Sequence, residues 1–255
     1  MCIRDSYGTV NDLAMKGAMP LFLSISLIIE EGLSLEELKI IANSIKAAAE
    51  EAKIKIVTGD TKVVNHGNAD KLFITSSGLG IIPPGTNISG ANARPGDKVI
   101  VSGTIGDHGI AVMSQREGLK FSVPIKSDCA PLHKLVAEML EISRQIHCLR
   151  DPTRGGLATT LNEFARQSRV GIQIEEEKIP VSDAVRAACE LLGFDPLYVA
   201  NEGKLVAIVA PQDTEQVLGK IKQNQYGAEA SIIGTVTTEP EGKVIMKTRF
   251  GASRI

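Results

Sequence analysis

Apolar residues along this chain alternate between short continuous runs and stretches with helical spacing. The run from residue 20 to 29 is rich in Leu and Ile and predicts a buried strand. Ser34, with Glu37 three residues later, is a capping box, and apolar residues then recur at helical intervals as far as Ala52. The same patterns predict helices over 10–17, 109–118, 131–144, 153–167, 182–192 and 213–223, and strands over 54–57, 72–82, 98–102, 146–150, 171–174, 204–209, 230–236 and 243–250. Strands and helices interleave, which indicates an α/β or α+β fold, and periodicity does not choose between the two.

Two turn signals divide the chain. Pro83-Pro84-Gly85 and Arg94-Pro95-Gly96-Asp97 are its strongest breaks, so we place a domain boundary between them, near residue 92. This gives domains over 7–91 and 92–255. Residues 1–6 show no periodicity, and we interpret them as a leader that does not belong to the first domain.

Composition excludes several classes of protein. The 255 residues include 28 Lys and Arg against 30 Asp and Glu, so the net charge of −2 argues against a nucleic-acid or membrane-surface binder. With 6 Phe, 3 Tyr and no Trp, the core must be aliphatic, and stacking of bases on aromatic residues is not expected. The 4 cysteines form no C-x-x-C pair, a pattern typical of a reducing compartment, and we expect a cytoplasmic protein.

Four polar clusters are each flanked by apolar structure. They are Thr9-Val10-Asn11-Asp12, Thr58-Gly59-Asp60-Thr61-Lys62, Arg150-Asp151-Pro152-Thr153-Arg154-Gly155-Gly156 and Asn201-Glu202-Gly203-Lys204. Glycines let main-chain N–H groups approach phosphate oxygens, carboxylates hold Mg²⁺, and Lys or Arg offsets phosphate charge. No G-x-x-x-x-G-K-[ST], G-x-G-x-x-G or H-E-x-x-H motif is present, so this chemistry alone is a weak signal.

Each acid in these clusters also has an ordinary structural interpretation. Asp12 and Asp151 could each cap a following helix, and Asp60 could form an Asx turn after a strand. Glu202 and Lys204 could be a solvated pair on a turn. These alternatives remain open at the level of sequence.

The histidines give no metal signature. His66, His133 and His147 have no partner at a metal-ligand spacing, and we expect structural roles for them. Asp107-His108 is interpreted as a helix cap followed by a surface histidine.

Taken together, the clusters and their order resemble the HypE family of hydrogenase maturation factors. The matching strings are Gly8-Thr9-Val10-Asn11-Asp12-Leu13-Ala14, Val57-Thr58-Gly59-Asp60-Thr61-Lys62-Val63-Val64, Ser102-Gly103-Thr104-Ile105-Gly106-Asp107-His108-Gly109, Leu149-Arg150-Asp151-Pro152-Thr153-Arg154-Gly155-Gly156 and Ala200-Asn201-Glu202-Gly203-Lys204-Leu205. The second and last strings distinguish HypE within a superfamily that also holds aminoimidazole ribonucleotide (AIR) synthetase, selenophosphate synthetase and thiamine-monophosphate kinase.

The resemblance implies a two-domain, PurM-like (AIR synthetase-like) fold and an ATP-dependent carbamoyl dehydratase. Its N-terminal sheet would join that of a second copy in a barrel, forming a homodimer, and an α+β domain would follow. A carbamoyltransferase, HypF, would load a carbamoyl group onto a C-terminal Cys. ATP would then activate the amide oxygen, and loss of phosphate and a proton would leave a thiocyanate. Its cyanide would pass to iron on the HypC–HypD complex for the [NiFe] hydrogenase site.

The resemblance also implies roles for individual residues. It assigns Asp12 and Asp60 to Mg²⁺ and ATP. Asn11, Thr58 and Gly59 would shape the phosphate site, Lys62 and Glu202 would act at the end of the groove that takes the modified Cys, and Asp151 and Arg154 would line the cleft from the second domain.

The resemblance also shows two departures. The family begins upstream of Thr9 with a glycine-rich, acid-bearing segment that closes over ATP, and it ends in a tail that bears the substrate Cys. The printed sequence has neither, and we expect the chain as written not to turn over.

Two alternatives therefore stay open. A non-catalytic module of the same fold would lack a terminal Cys in its parent gene, and that gene's end distinguishes it from the enzyme. A sister ATP enzyme such as selenophosphate synthetase is disfavoured by the Asn201-Glu202-Gly203-Lys204-Leu205 string.

Overall fold

The computed structural model describes residues 2–119 and 124–254, except for the side chains of residues 2–5, and it contains two β-sheets with helices packed on them. The first part comprises α1 (Cys2–Ala14), β1 (Met19–Glu30), α2 (Leu35–Ala52), β2 (Lys55–Val64) and β3 (Leu72–Ile81). The second comprises β4 (Lys98–Val101), α3 (Asp107–Glu117), α4 (His133–Ile142), β5 (Ile146–Arg150), α5 (Gly156–Ser168), β6 (Gly171–Glu175), α6 (Asp183–Leu192), β7 (Val206–Val209), α7 (Thr214–Gln223), β8 (Ser231–Thr237), β9 (Val244–Lys247) and β10 (Ser253–Arg254). Among the described helices none is both long and apolar enough to cross a membrane.

The first sheet has three strands in the order β2-β1-β3. The central strand β1 pairs parallel with β2 and antiparallel with β3. Alternate residues of β1 point to opposite faces of the sheet, and Leu23 lies on the face covered by α1 and α2. There it forms a small core with Val10, Ala49, Ala52 and Ile54.

Among the described residues, no helix packs on the opposite face of this sheet, which we call the open face. Phe22 and Ile28 of β1 lie on it beside their β3 partners Leu79 and Phe73. Leu79 is 70% exposed and Phe73 is 49% exposed. These large apolar side chains lie toward the two ends of the open face, on either side of Ser24, Ser26, Thr75 and Ser77. Exposed apolar side chains of this size indicate an interaction site.

The second sheet has seven strands in the order β10-β9-β6-β8-β4-β7-β5, antiparallel at every described pairing except β6 with β9. Its central strand β4 is covered on both faces. Val99 and Val101 pack into a core with α5 residues such as Phe164, whereas Ile100 packs into a second core with α4 and α7 residues such as Met139. The sequence leaves α/β and α+β open, and the antiparallel pairing makes this domain α+β.

Helix α1 joins the two sheets. Its end contributes Ala14 to the core under α4 and α7. Asn11 is fully buried, donates through Nδ2 to the carbonyl oxygens of Ala130 (3.0 Å) and Glu202 (3.3 Å), and accepts from the N–H of Leu132 (2.8 Å). Three main-chain groups of the second domain are therefore held by one side chain of α1.

The structure confirms the capping box and most predicted elements, and it corrects others: the strand predicted over 243–250, for example, ends at Lys247. Ser34 is the N-cap of α2 and accepts from the N–H of Glu37. Helix α1 already extends from Cys2, rather than beginning at Val10, because Tyr7, Val10 and Ala14 form one buried stripe at helical spacing. The strand predicted over 54–57 continues to Val64, because β2 pairs with β1 along its whole length. Helix α5 begins at Gly156 instead of 153.

Candidate functional site

A cavity of 1020 Å³ lies where α1 and the edge strand β3 meet the second domain. Its first-domain wall includes Thr9, Asp12 and Lys16 together with Ile74 and Ser76 of β3. Thr9 and Ser76 are joined by a hydrogen bond of 2.6 Å between their hydroxyls, which fixes α1 on the sheet. The second-domain wall contains polar side chains from the start of α3, the end of β5, α5 and two loops. Among them are His108, Arg150, Asp151, Thr153, Arg154, Thr159, Thr160, Glu163, Gln167 and Glu202.

Asp12 lies in the last turn of α1 and faces this cavity. Partial burial raises the pKa of its carboxyl group, and the nearby guanidinium groups of Arg150 and Arg154 oppose that rise. The interpretation of Asp12 as a cap for a following helix is wrong, because the residue is inside α1, near the C-terminal end.

Asp151 directly follows β5 and is buried. Burial raises the pKa of its carboxyl group to about 6, and the negative charge of Asp12 adds to this rise. The helix-cap interpretation is also wrong for Asp151: the N-cap of α5 is Gly155, in the left-handed region at φ 69°, and no side chain caps that helix. Two carboxylates from different domains thus repel each other in one cavity, an arrangement that favours a bound cation.

Cationic side chains surround this acidic pair. Arg150 Nη1 lies 2.6 Å from Glu163 Oε2, an ion pair between β5 and α5. Arg154 and Lys16 also line the cavity. Groups of both signs are the complement of a polyphosphate that is bound with a divalent cation.

Glu202 lines the cavity from a turn whose main chain is held in place by hydrogen bonds and close packing. The preceding Asn201 is fully buried, accepts from the N–H of Gly106 (2.7 Å) and donates to the carbonyl oxygens of Val199 and Pro152. At Gly203 a Cβ atom would lie 1.7 Å from the carbonyl oxygen of Asp128, so glycine is required there. Glu202 is only 9% exposed, which makes the interpretation as a solvated pair with Lys204 wrong.

The candidate residues of β2 lie elsewhere. Thr58, Asp60 and Lys62 are exposed and pair with Ser24, Ser26 and Ile28 of β1, which places them on the open face. Asp60 Oδ1 accepts only a local N–H, that of Thr61, among its described hydrogen bonds (2.8 Å). Gly59 lies between them, and a Cβ there would be 2.2 Å from the carbonyl oxygen of Ile25 in β1.

The structure therefore divides the predicted site residues into three sets. Asp12, Asp151, Arg154 and Glu202 come together in the cavity. Thr58, Gly59, Asp60 and Lys62 are on β2, outside its lining. Asn11 joins the domains instead of lining the cavity, since its polar atoms are bonded to main-chain groups.

Sequence reasoning missed four of the ionisable residues that line the cavity. Arg150 stands next to Asp151 in a cluster already singled out, and His108 stands in a matching string, so both had a signal in the sequence. His108 is 8% exposed, and its prediction as a surface residue is wrong. Lys16 and Glu163 had no local signal, because only tertiary packing brings them to the cavity.

The cavity does not contain an all-protein metal centre. Within the described residues, no group of three or more His, Cys, Asp or Glu side chains is close enough to hold a metal ion. Mg²⁺ usually needs only one or two carboxylates, with waters and phosphates completing its shell, and Asp12 with Asp151 meets that requirement.

Comparison with known proteins agrees with this geometry. The chain matches the family model for the N-terminal domain of AIR synthase related proteins over residues 6–82 and the model for their C-terminal domain over residues 94–247. It is 55% identical over 249 residues to carbamoyl dehydratase HypE of Azotobacter vinelandii, covering 98% of this chain and 73% of the relative.

Solved structures give the same result. A HypE–HypF complex contains a chain with 50% identity and a TM-score of 0.97, covering 100% of this chain and 83% of that one. A hydrogenase maturation protein HypE in complex with ATP has 45% identity and a TM-score of 0.96, covering 99% of this chain and 77% of that one. These similarities confirm the predicted fold class and the resemblance on which it rested.

Proposed function

The chain belongs to the HypE family of carbamoyl dehydratases, and on that premise we propose that the cavity between its two sheets binds ATP for the dehydration of an S-carbamoyl group. The observation behind this proposal is the set of opposed charges at one point: Asp12 and Asp151 beside Arg150 and Arg154. A HypE protein has been crystallised with ATP, which supports the choice of nucleotide.

The reaction balances as an S-alkyl thiocarbamate plus ATP giving a thiocyanate, ADP, inorganic phosphate and a proton. The carbamoyl oxygen leaves with the phosphoryl group, and the amide nitrogen loses both of its protons. Arg154 and Lys16 would offset the negative charge of the polyphosphate. Glu202 lines the same cavity from the second domain, and we assign to it the acceptance of a proton from the amide.

Mg²⁺ would be held at the acidic pair, Asp12 and Asp151. A bound divalent ion neutralises charge on the phosphates of ATP. It would also relieve the repulsion that raises the pKa of Asp151, so the two carboxylates fit such an ion.

The residues of β2 need a second copy of the chain to reach this site. Strand β1 separates β2 from β3, a distance of about 10 Å across two strand spacings. Asp60 and Lys62 also point away from the face that bears the cavity residue Ser76. We propose a homodimer that covers the open face and in which Asp60 and Lys62 of one copy complete the cavity of the other.

ATP binding tests the cavity. Calorimetric titration with ATP and Mg²⁺ should show at least about tenfold weaker binding for Arg154→Ala, because a charge-assisted contact is lost. Arg144→Ala is the matched control, since Arg144 lines a different groove beside α4. Equal affinities for wild type and Arg154→Ala would contradict the assignment.

A mixing experiment tests the shared site. In the full-length parent protein, we expect Asp12→Asn and Lys62→Ala homodimers each to hydrolyse ATP at about 1% of the wild-type rate or less. After mixing with subunit exchange, half of the dimers are mixed, and each has one complete site if Lys62 acts across the interface. Hydrolysis should then recover to about a quarter of the wild-type rate. No recovery in dimers that demonstrably exchange would show that Lys62 acts within its own chain or not at all.

HypF is the proposed partner with direct support, since a HypE has been crystallised in complex with it. The HypC–HypD complex is proposed from the family resemblance as the acceptor of the product.

A further inference from the structure

The main chain of Glu202 is fixed from both domains. Its N–H donates to Asp128 Oδ1 at 3.0 Å, and its carbonyl oxygen accepts from Asn11 Nδ2 at 3.3 Å. These bonds determine where the side chain leaves the turn. They do not determine the direction of the carboxylate at its end.

His108 lies beside that carboxylate. It is the second residue of α3, lines the same cavity, and its Nε2 is 3.9 Å from Glu202 Oε1. Its other ring nitrogen, Nδ1, is 2.8 Å from Ser127 Oγ. A buried imidazole thus lies between a serine hydroxyl and a cavity carboxylate. A distance of 3.9 Å is longer than a hydrogen bond, but contacts in a site without substrate often tighten once the substrate is bound.

The start of α3 does not require His108. Gly106 is the N-cap, in the left-handed region at φ 89°, with no side-chain cap bond. Asp107 organises the first turn, accepting from Thr104 Oγ1 at 2.5 Å and from Ser182 Oγ at 3.3 Å. An imidazole buried in the cavity wall is therefore not explained by helix capping.

We infer that His108 is a positioning residue for Glu202: Ser127 orients the ring through Nδ1, and Nε2 holds the Glu202 carboxylate toward the carbamoyl group. This inference rests on the proposed function, in which Glu202 accepts a proton from the amide. It assigns a histidine to the reaction without any contact between that histidine and the reacting atoms.

Two amide substitutions at His108 distinguish the contributions of its two ring nitrogens. His108→Gln places its amide near the position of Nε2 and can still donate to Glu202. His108→Asn places its amide near Nδ1, which keeps the contact with Ser127 and loses the one with Glu202. At saturating ATP, we expect thiocyanate formation to slow about 10²-fold in His108→Asn and less than tenfold in His108→Gln.

The assay is single-turnover thiocyanate formation by the full-length parent protein, followed by mass spectrometry, on a synthetic peptide that ends in S-carbamoylcysteine, with ATP and Mg²⁺. A double-mutant cycle with Glu202→Gln supplies the decisive readout. If His108 acts through Glu202, His108→Asn should change the rate less than twofold in the Glu202→Gln background. A merely structural role would leave its full effect in that background.

The possible failures are distinct. Equal rates for the Asn and Gln variants, or a full His108→Asn effect in Glu202→Gln, would overturn the positioning role and leave the proposed function intact. No thiocyanate from the wild type, or a wild-type rate in Glu202→Gln, would overturn the proposed function and this inference with it.

Discussion

Replacing Asp151 by Asn should stabilise the folded protein in the absence of ligand. The carboxyl group of Asp151 has an ordinary pKa of 3.8, which burial and the charge of Asp12 raise to about 6 in the folded state. The folded state therefore disfavours the ionised form. This difference corresponds to an upper limit of about 3 kcal/mol at neutral pH. Asparagine has nearly the same shape and no charge, so we expect a gain of about 1–3 kcal/mol.

The gain should depend on pH with a definite sign. A carboxyl group whose pKa is raised on folding contributes stability at low pH that is lost as pH rises through the folded value. Below about pH 4 wild type and Asp151→Asn should be equally stable, because the carboxyl group is protonated in both states of the wild type. The variant's advantage should grow between about pH 4 and 6 and stay constant above that.

Urea unfolding at pH 4 and pH 7.5, with a chelator present, measures the effect as a change in midpoint at constant slope. Asp70→Asn is the matched control, because Asp70 is exposed in the turn between β2 and β3 and its replacement should change the unfolding midpoint little. An Asp151→Asn variant that is no more stable than wild type at pH 7.5 would refute the electrostatic argument.

Three further outcomes follow from the geometry. Gly203→Ala should lower the free energy of unfolding by about 3 kcal/mol or more, because its Cβ would lie 1.7 Å from a carbonyl oxygen. Gly219→Ala in α7 has open space around the new Cβ and should raise the free energy of unfolding by up to about 1 kcal/mol. Urea unfolding of both variants measures the difference. Asn11→Ala should cost about 2–4 kcal/mol in the same assay, because it leaves three buried main-chain groups unpaired, and a loss below about 0.5 kcal/mol would contradict the joining role of Asn11. In the full-length parent protein, Asp12→Asn and Asp60→Asn should each slow ATP hydrolysis by about 10²-fold, measured as phosphate release. Undiminished rates in both would contradict the assignment of Asp12 to the metal and of Asp60 to the shared site.

Local patterns predicted most elements because each was marked by its own residues. The capping box at Ser34 fixed the start of α2, and the apolar run over 20–29 identified β1. The extent of β2 was missed because its length depends on pairing with β1, more than thirty positions away in the sequence. Its polar residues on the open face resembled a loop, although they alternate with the period of a strand.

The candidate site shows even more clearly that local patterns do not reveal contacts between residues far apart in the sequence. Each motif was visible, yet the approach of Asp12 to Asp151 joins residues 139 positions apart and is set by the packing of α1 against the second domain. Nothing in the local sequence around Asp60 indicates that it faces away from Asp12. The resemblance grouped the two acids as metal ligands, whereas one chain holds them on different faces of a sheet.

The adjacent pairs Asn11-Asp12 and Asn201-Glu202 have the same arrangement, one pair in each domain. Each asparagine is fully buried, and its amide bonds main-chain groups from both its oxygen and its nitrogen. Each following acid faces the cavity. An asparagine occupied in this way has little capacity left for a ligand, but it fixes the main chain from which the adjacent carboxylate projects. The same reasoning explains why Asn11, assigned by its motif to the phosphate site, is found between the domains: the acid of the pair meets the substrate, and the asparagine determines where that acid is held.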